Sequence, residues 1–176
     1  MTTSYFEFYG LPESFTIDAK VLKNKFYELS KRYHPDFYAN ESEARQQEIL
    51  ELSTLNNKAY QVLSNPPKLT EYILQQHGLL AEGDKHQLAP DFLMEMMEIN
   101  ENLMEVDDEA GLLAIKTQLA GIENDLNAQL SSLIKNYETD NQANKITTLK
   151  NIKDIYFKQK YLLRIKDSLN TFAARF

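Results

Sequence analysis

His34 stands beside a proline and a carboxylate in the run Tyr33-His34-Pro35-Asp36. An imidazole next to a carboxylate is the raw material of a metal ligand set or a general base. Neither use is supported here: the other two histidines, His77 and His86, lie at no ligand spacing from it, and the chain contains no cysteine. Without cysteine there are no disulfides, no thiolate zinc site, no cysteine-held iron–sulfur cluster and no cysteine nucleophile. A glycine-rich phosphate loop is also missing from the sequence. No catalytic residue, resident metal or cofactor is expected, and the chain reads as a binding protein rather than an enzyme.

Two sets of residues have the composition of interaction surfaces. The first precedes the tripeptide. Between Asp18 and Tyr33 there are five basic residues, Lys20, Lys23, Lys25, Lys31 and Arg32, against only Asp18 and Glu28. Stepping about 100° per residue places Lys20, Lys23, Asn24, Tyr27 and Lys31 on one outward face, with Lys25 and Arg32 on its flank. The second set holds four of the five methionines, Met94, Met96, Met97 and Met104. Phe92, Met96, Ile99, Leu103 and Val106 form one apolar stripe, as a helix facing a core requires. Leu93, Met97 and Met104 form a second stripe, and Met94, Glu98, Glu101 and Glu105 lie beyond it. Met94 and Met97 between glutamates suit an adaptable protein-binding patch.

The elements that must carry these residues are helices. Asp18 can cap a helix whose apolar positions are Leu22, Phe26, Leu29 and Tyr33, and Pro35 stops it. Asn40, three residues before Glu43, suggests the start of the next helix, with an apolar stripe Leu52, Leu55, Ala59, Val62 and Leu63 running to Ser64-Asn65-Pro66-Pro67. A short helix from about Pro67 to His77 is expected to bury Tyr72 and Ile73. Gly78 suits the position just past its end, and Gly78 with Gly83 marks a break in the chain. Beyond it, helices are expected near 90–106, 108–137 and 141–173, the last two antiparallel if the Glu138–Asn141 turn is tight. The fold class is all-α: an N-terminal helical unit over 1–77, a linker over 78–88 and a three-helix bundle over 89–176.

The 176 residues carry a formal net charge of −7, unevenly spread. Residues 1–81 hold eight basic and ten acidic residues, 82–140 three and fourteen, and 141–176 eight and two. The basic last segment, with Lys150, Lys153, Lys158, Lys160, Arg164, Tyr156 and Tyr161, has the residue types of a nucleic-acid surface. Pairing with the acidic helices beside it is the more economical use, so no nucleic-acid partner is expected. No apolar run approaches the ~20 residues of a membrane span, and the first residues lack a signal or transit pattern. The expectation is a cytoplasmic monomer with no membrane partner.

Three motifs in order, Tyr5-Phe6-Glu7-Phe8-Tyr9-Gly10-Leu11-Pro12, the basic helix with His34-Pro35-Asp36, and Leu55-Asn56-Asn57-Lys58-Ala59-Tyr60-Gln61-Val62-Leu63-Ser64-Asn65-Pro66, make residues 4–76 resemble a J-domain. The resemblance implies docking to a chaperone ATPase of the DnaK/HscA type and stimulation of its ATP hydrolysis. It assigns His34, Pro35 and Asp36 to the stimulating loop and Lys23, Lys25, Tyr27, Lys31 and Arg32 to the docking face. Phe37 and Tyr38 stand where J-domains commonly carry a basic residue, and Lys68 and Leu69 stand near Pro66 where an arginine is frequent.

Followed by His77-Gly78 and then Phe92-Leu93-Met94-Glu95, this layout resembles the HscB family, co-chaperones of iron–sulfur cluster biogenesis. That resemblance implies that the bundle binds an IscU-type scaffold protein through Leu93, Met94, Met97, Glu98, Glu101 and an aromatic of the last helix, Phe157 or Tyr156. It also implies a bacterial type, since eukaryotic members often add a zinc-binding cysteine segment. The rival reading is a J-domain co-chaperone whose bundle binds another client or dimerises.

Overall fold

A computed structural model describes residues 4–81, 83, 84, 86–139 and 144–173. The described residues form helices and no strand, and the chain divides into two compact units, Met1–His77 and Gly78–Phe176.

Unit 1 contains α1 (Tyr5–Tyr9), α2 (Ala19–Arg32), a single 3-10 turn (Pro35–Tyr38), α3 (Glu43–Leu63) and α4 (Pro66–Gln76). Ser4 starts α1 with a reciprocal cap: its Oγ accepts from the Glu7 N–H at 3.1 Å, and the Ser4 N–H donates to Glu7 Oε2 at 2.9 Å. Gly10 ends the helix at φ +62°, a left-handed conformation that any Cβ would strain. α2 and α3 form a hairpin around Leu22, Leu29, Ile49, Ala59 and Leu63, all buried. Ser42, rather than Asn40, caps α3, its Oγ accepting from the Arg45 N–H. Asn65 caps α4 through the Lys68 N–H at 3.1 Å. Ile73 is fully buried, but Tyr72 is only partly so: its ring stacks on Tyr5, and its hydroxyl accepts from the Tyr5 N–H at 2.8 Å.

Unit 2 contains α5 (Pro90–Glu105), α6 (Glu109–Thr139) and α7 (Lys145–Ala173). Its core joins Met96, Ile99 and Leu103 of α5 to Leu112, Ile115, Leu119 and Leu126 of α6 and Ile155, Leu162, Ile165 and Leu169 of α7. The first stripe of α5 is therefore the core stripe, with Phe92 and Val106 packed at its margins. α6 and α7 run antiparallel, as the Lys166–Glu123 ion pair (2.8 Å), the Gln159–Asn127 hydrogen bond (2.9 Å) and Lys145 over the Tyr137 ring (4.9 Å) require. Residues 140 and 141 of the expected turn lie outside the described residues.

Candidate functional site

The tripeptide of unit 1 is placed by the end of α2. The Asp18 carboxylate sets the start of that helix by accepting from the N–H groups of Lys20 (2.8 Å) and Val21 (2.9 Å). With Leu22 and Leu29 buried, Lys20, Lys23, Tyr27, Lys31 and Arg32 are exposed; Lys25 is half-exposed, 3.6 Å from Glu28. The Lys23 ammonium lies over the Tyr27 ring at 5.8 Å, so these two expected docking residues form one cationic–aromatic element.

Pro35 disfavours helical backbone at His34, which is extended at φ −72° and ψ 122°. The proline then opens the 3-10 turn, where its missing N–H costs nothing. The His34 side chain is 52% exposed and that of Asp36 86%; His34 Nδ1 lies 3.8 Å from Asp36 Oδ2 and accepts from the Asp36 N–H at 3.4 Å. The loop is held from both sides. Tyr38 donates its hydroxyl to the Arg32 carbonyl (2.9 Å), and Gln46 of α3 donates to the carbonyls of Ala39 (3.1 Å) and Glu41 (2.9 Å). His34 and Asp36 thus face solvent from a fixed backbone, which suits recognition: little ordering entropy remains to be lost on binding. Tyr38 and Gln46 are anchors that sequence reasoning missed, because their partners are backbone carbonyls with no signature in residue type.

In unit 2, Leu93 and Phe157 face a common groove of about 690 Å³ between α5 and α7, whose lining includes His86, Leu88, Tyr161 and Leu163. Tyr156 is buried (5% exposed), whereas Phe157 is half-buried. Met94 and Met97 are 68% and 56% exposed, and Glu98 and Glu101 are exposed. These four occupy the open face of α5 beside Leu93 and do not line the groove. The structure therefore brings Leu93 and Phe157 together and leaves the methionines and glutamates on the adjoining face.

The cations of α7 are used otherwise than expected. Lys166 pairs with Glu123 of α6, but Lys153 pairs with Asp84 (2.7 Å) and Lys158 with Asp154 of its own helix (2.7 Å). Lys160 and Arg164 lie over the rings of Tyr156 and Tyr161. Burial alone would raise the Asp154 carboxyl, but hydrogen bonds from Lys158 and His86 outweigh it and hold that group below the usual carboxylate range.

An exposed, braced His-Pro-Asp loop on a helical hairpin, with a separate helical bundle following it, defines a J-domain co-chaperone with a C-terminal helical bundle. The family model described as "HSCB C-terminal oligomerisation domain" matches residues 88–170. A co-chaperone protein HscB homolog from Vibrio cholerae serotype O1 is 34% identical over 171 residues, covering 94% of this chain and 98% of its own. Chaperone HscB from Vibrio cholerae superposes with a TM-score of 0.70 at 30% identity, covering 98% of each chain. The human co-chaperone protein HscB superposes with a TM-score of 0.76 at 27% identity, covering 99% of this chain and 84% of its own. The chain belongs to the HscB co-chaperone family. Its relatives are named as co-chaperones, a non-enzymatic class, and among the described residues no helix is long and apolar enough to cross a membrane.

Proposed function

We propose that this chain is a two-site adaptor. Unit 1 engages an HscA/DnaK-type chaperone ATPase through His34, Pro35 and Asp36, with Lys23, Lys25, Tyr27, Lys31 and Arg32 as the docking face. Unit 2 holds an IscU-type iron–sulfur scaffold protein through Leu93, Met94, Met97, Glu98, Glu101 and Phe157. Joining both sites in one chain turns delivery of the scaffold into a local event at raised effective concentration. The observation that carries this reading is the pairing, in one polypeptide, of a solvent-facing His-Pro-Asp loop with an apolar groove bordered by exposed methionines. Lysines steer an acidic partner, and thioethers adapt to an apolar one.

The two sites should separate by mutation. His34→Gln is expected to abolish ATPase stimulation and leave scaffold affinity, measured by calorimetry, unchanged. Leu93→Ala with Met97→Ala should weaken scaffold affinity by about tenfold or more. Full stimulation by His34→Gln, or unaltered affinity in the folded double variant, would overturn the assignment of that site.

A second reading is favoured by the matched family model's description as an oligomerisation domain: the bundle pairs with a second copy through its exposed apolar side chains, among them Met104 and Leu163. Light scattering across a concentration series separates the two. A constant monomer mass supports the adaptor, and a concentration-dependent dimer supports self-association.

A further inference from the structure

His86, the one histidine of unit 2, lines the groove but is not among the residues expected to bind the scaffold. Its ring stacks on Phe157 with centroids 5.0 Å apart and planes 19° from parallel. Its Nε2 donates to Asp154 Oδ1 at 2.9 Å, and Lys158 takes the other oxygen of that carboxylate at 2.7 Å. Phe157 is further enclosed by the edge of Tyr156 at 5.4 Å and by the Lys153 ammonium 5.9 Å from its ring centre. Lys153 in turn holds Asp84 at 2.7 Å, so Asp84 as well as His86 is tied to α7. Phe157, so held, lines the groove together with Leu93, Leu88 and Tyr161.

We infer that His86 is a positioning residue for partner capture: by stacking on Phe157 while tied to Asp154, it fixes that ring as a wall of the α5/α7 groove. This rests on the reading that the groove receives the scaffold. A phenylalanine free to change rotamer must be ordered when the partner arrives, and a ring already clamped has lost that freedom beforehand. Asp154 acts one step further back. Its carboxylate orients the imidazole, as a hydrogen-bonded partner orients any imidazole with two distinct nitrogens.

The test is calorimetry of the full chain against a purified IscU-type scaffold, with Phe157→Ala as reference. Phe157→Ala should lose about tenfold or more in affinity. His86→Ala should lose roughly three- to tenfold, the scale of one side chain left to be ordered. His86→Phe, which keeps the stack and drops the hydrogen bond, should stay within about twofold of the parent. His86→Gln keeps a donor for Asp154 without the ring; it should bind as weakly as the alanine variant and decides the matter if the latter does not fold. Wild-type affinity in His86→Ala or His86→Gln, alongside a loss in Phe157→Ala, overturns this inference alone. A phenylalanine variant as weak as the alanine one overturns the stacking role. Wild-type affinity in Phe157→Ala removes the underlying reading of the groove.

Discussion

Asn56 is a polar side chain at the centre of unit 1, 1% exposed and fully engaged. Its Nδ2 donates to the Phe26 carbonyl (3.1 Å) and to Ser30 Oγ (2.9 Å), while its Oδ1 accepts from the Tyr9 hydroxyl (2.9 Å). One amide thus ties α1 and α2 to α3, fixing the hairpin that presents His34. Asn56→Leu removes all three of these side-chain hydrogen bonds, leaving the Tyr9 hydroxyl only the backbone carbonyl of residue 56 (3.0 Å), and should cost about 1–3 kcal/mol, read as a lower denaturation midpoint. Tyr9 adds a pH signature. Burial, with Tyr60 adding to it, raises its phenol above the usual tyrosine range. The neutral phenol belongs to the folded state, so its contribution is complete below about pH 10 and is lost as pH rises further. Tyr9→Phe should therefore show a shallower loss of stability above about pH 10 than the parent. Asn56 sits inside a motif visible in the sequence, but its burial was not legible there: a mid-helix asparagine reads as solvent-facing unless the partners arriving from two other helices are known. The His-Pro-Asp loop was legible because proline and an adjacent carboxylate carry their backbone and exposure preferences with them.

At the scale of elements, helix positions followed closely from apolar spacing and from Asp18, Pro35 and Pro66. The misreadings concern features that depend on a neighbour. Ser42 caps α3 in place of Asn40 because its hydroxyl reaches the Arg45 N–H. Tyr72 keeps a partly open ring because it stacks on Tyr5. The α5–α6 junction supplies a test of sign. Gly111 lies in the first turn of α6, where Asp108 accepts its N–H at 2.7 Å. Alanine in a helix ordinarily gains about 1 kcal/mol over glycine. Here the added Cβ would meet Val106 Cγ2 at 2.5 Å and Asp108 Oδ1 at 3.0 Å. Val106 packs against the bundle core, and its β-branched side chain has few rotamers to retreat into. Gly111→Ala should therefore destabilise, by about 1–3 kcal/mol, and a higher melting temperature would contradict this packing. Asp108→Ala should cost about 1 kcal/mol through loss of the same hydrogen bond.

For the molecule as a whole, a net charge of −7 conceals surfaces of opposite character. The exposed lysines of α2 should make ATPase docking weaken with salt as the Debye length falls from about 10 Å at 0.1 M to about 3 Å at 1 M. On the proposed reading, capture in the α5/α7 groove through the apolar Leu93 and Phe157 should respond far less, and titrations at both ionic strengths would show the difference. The absence of cysteine has a similarly local meaning: on the proposed reading, any iron–sulfur cluster is carried by the partner. The most direct measurement of the adaptor account is ATP hydrolysis by the HscA-type ATPase with this chain added alone, with scaffold alone, and with both. The account predicts synergy, with stimulation by the pair exceeding the product of the separate effects, and its disappearance in His34→Gln and in the Leu93→Ala, Met97→Ala double variant. Stimulation by this chain that is indifferent to scaffold, at concentrations where the two bind, would contradict it.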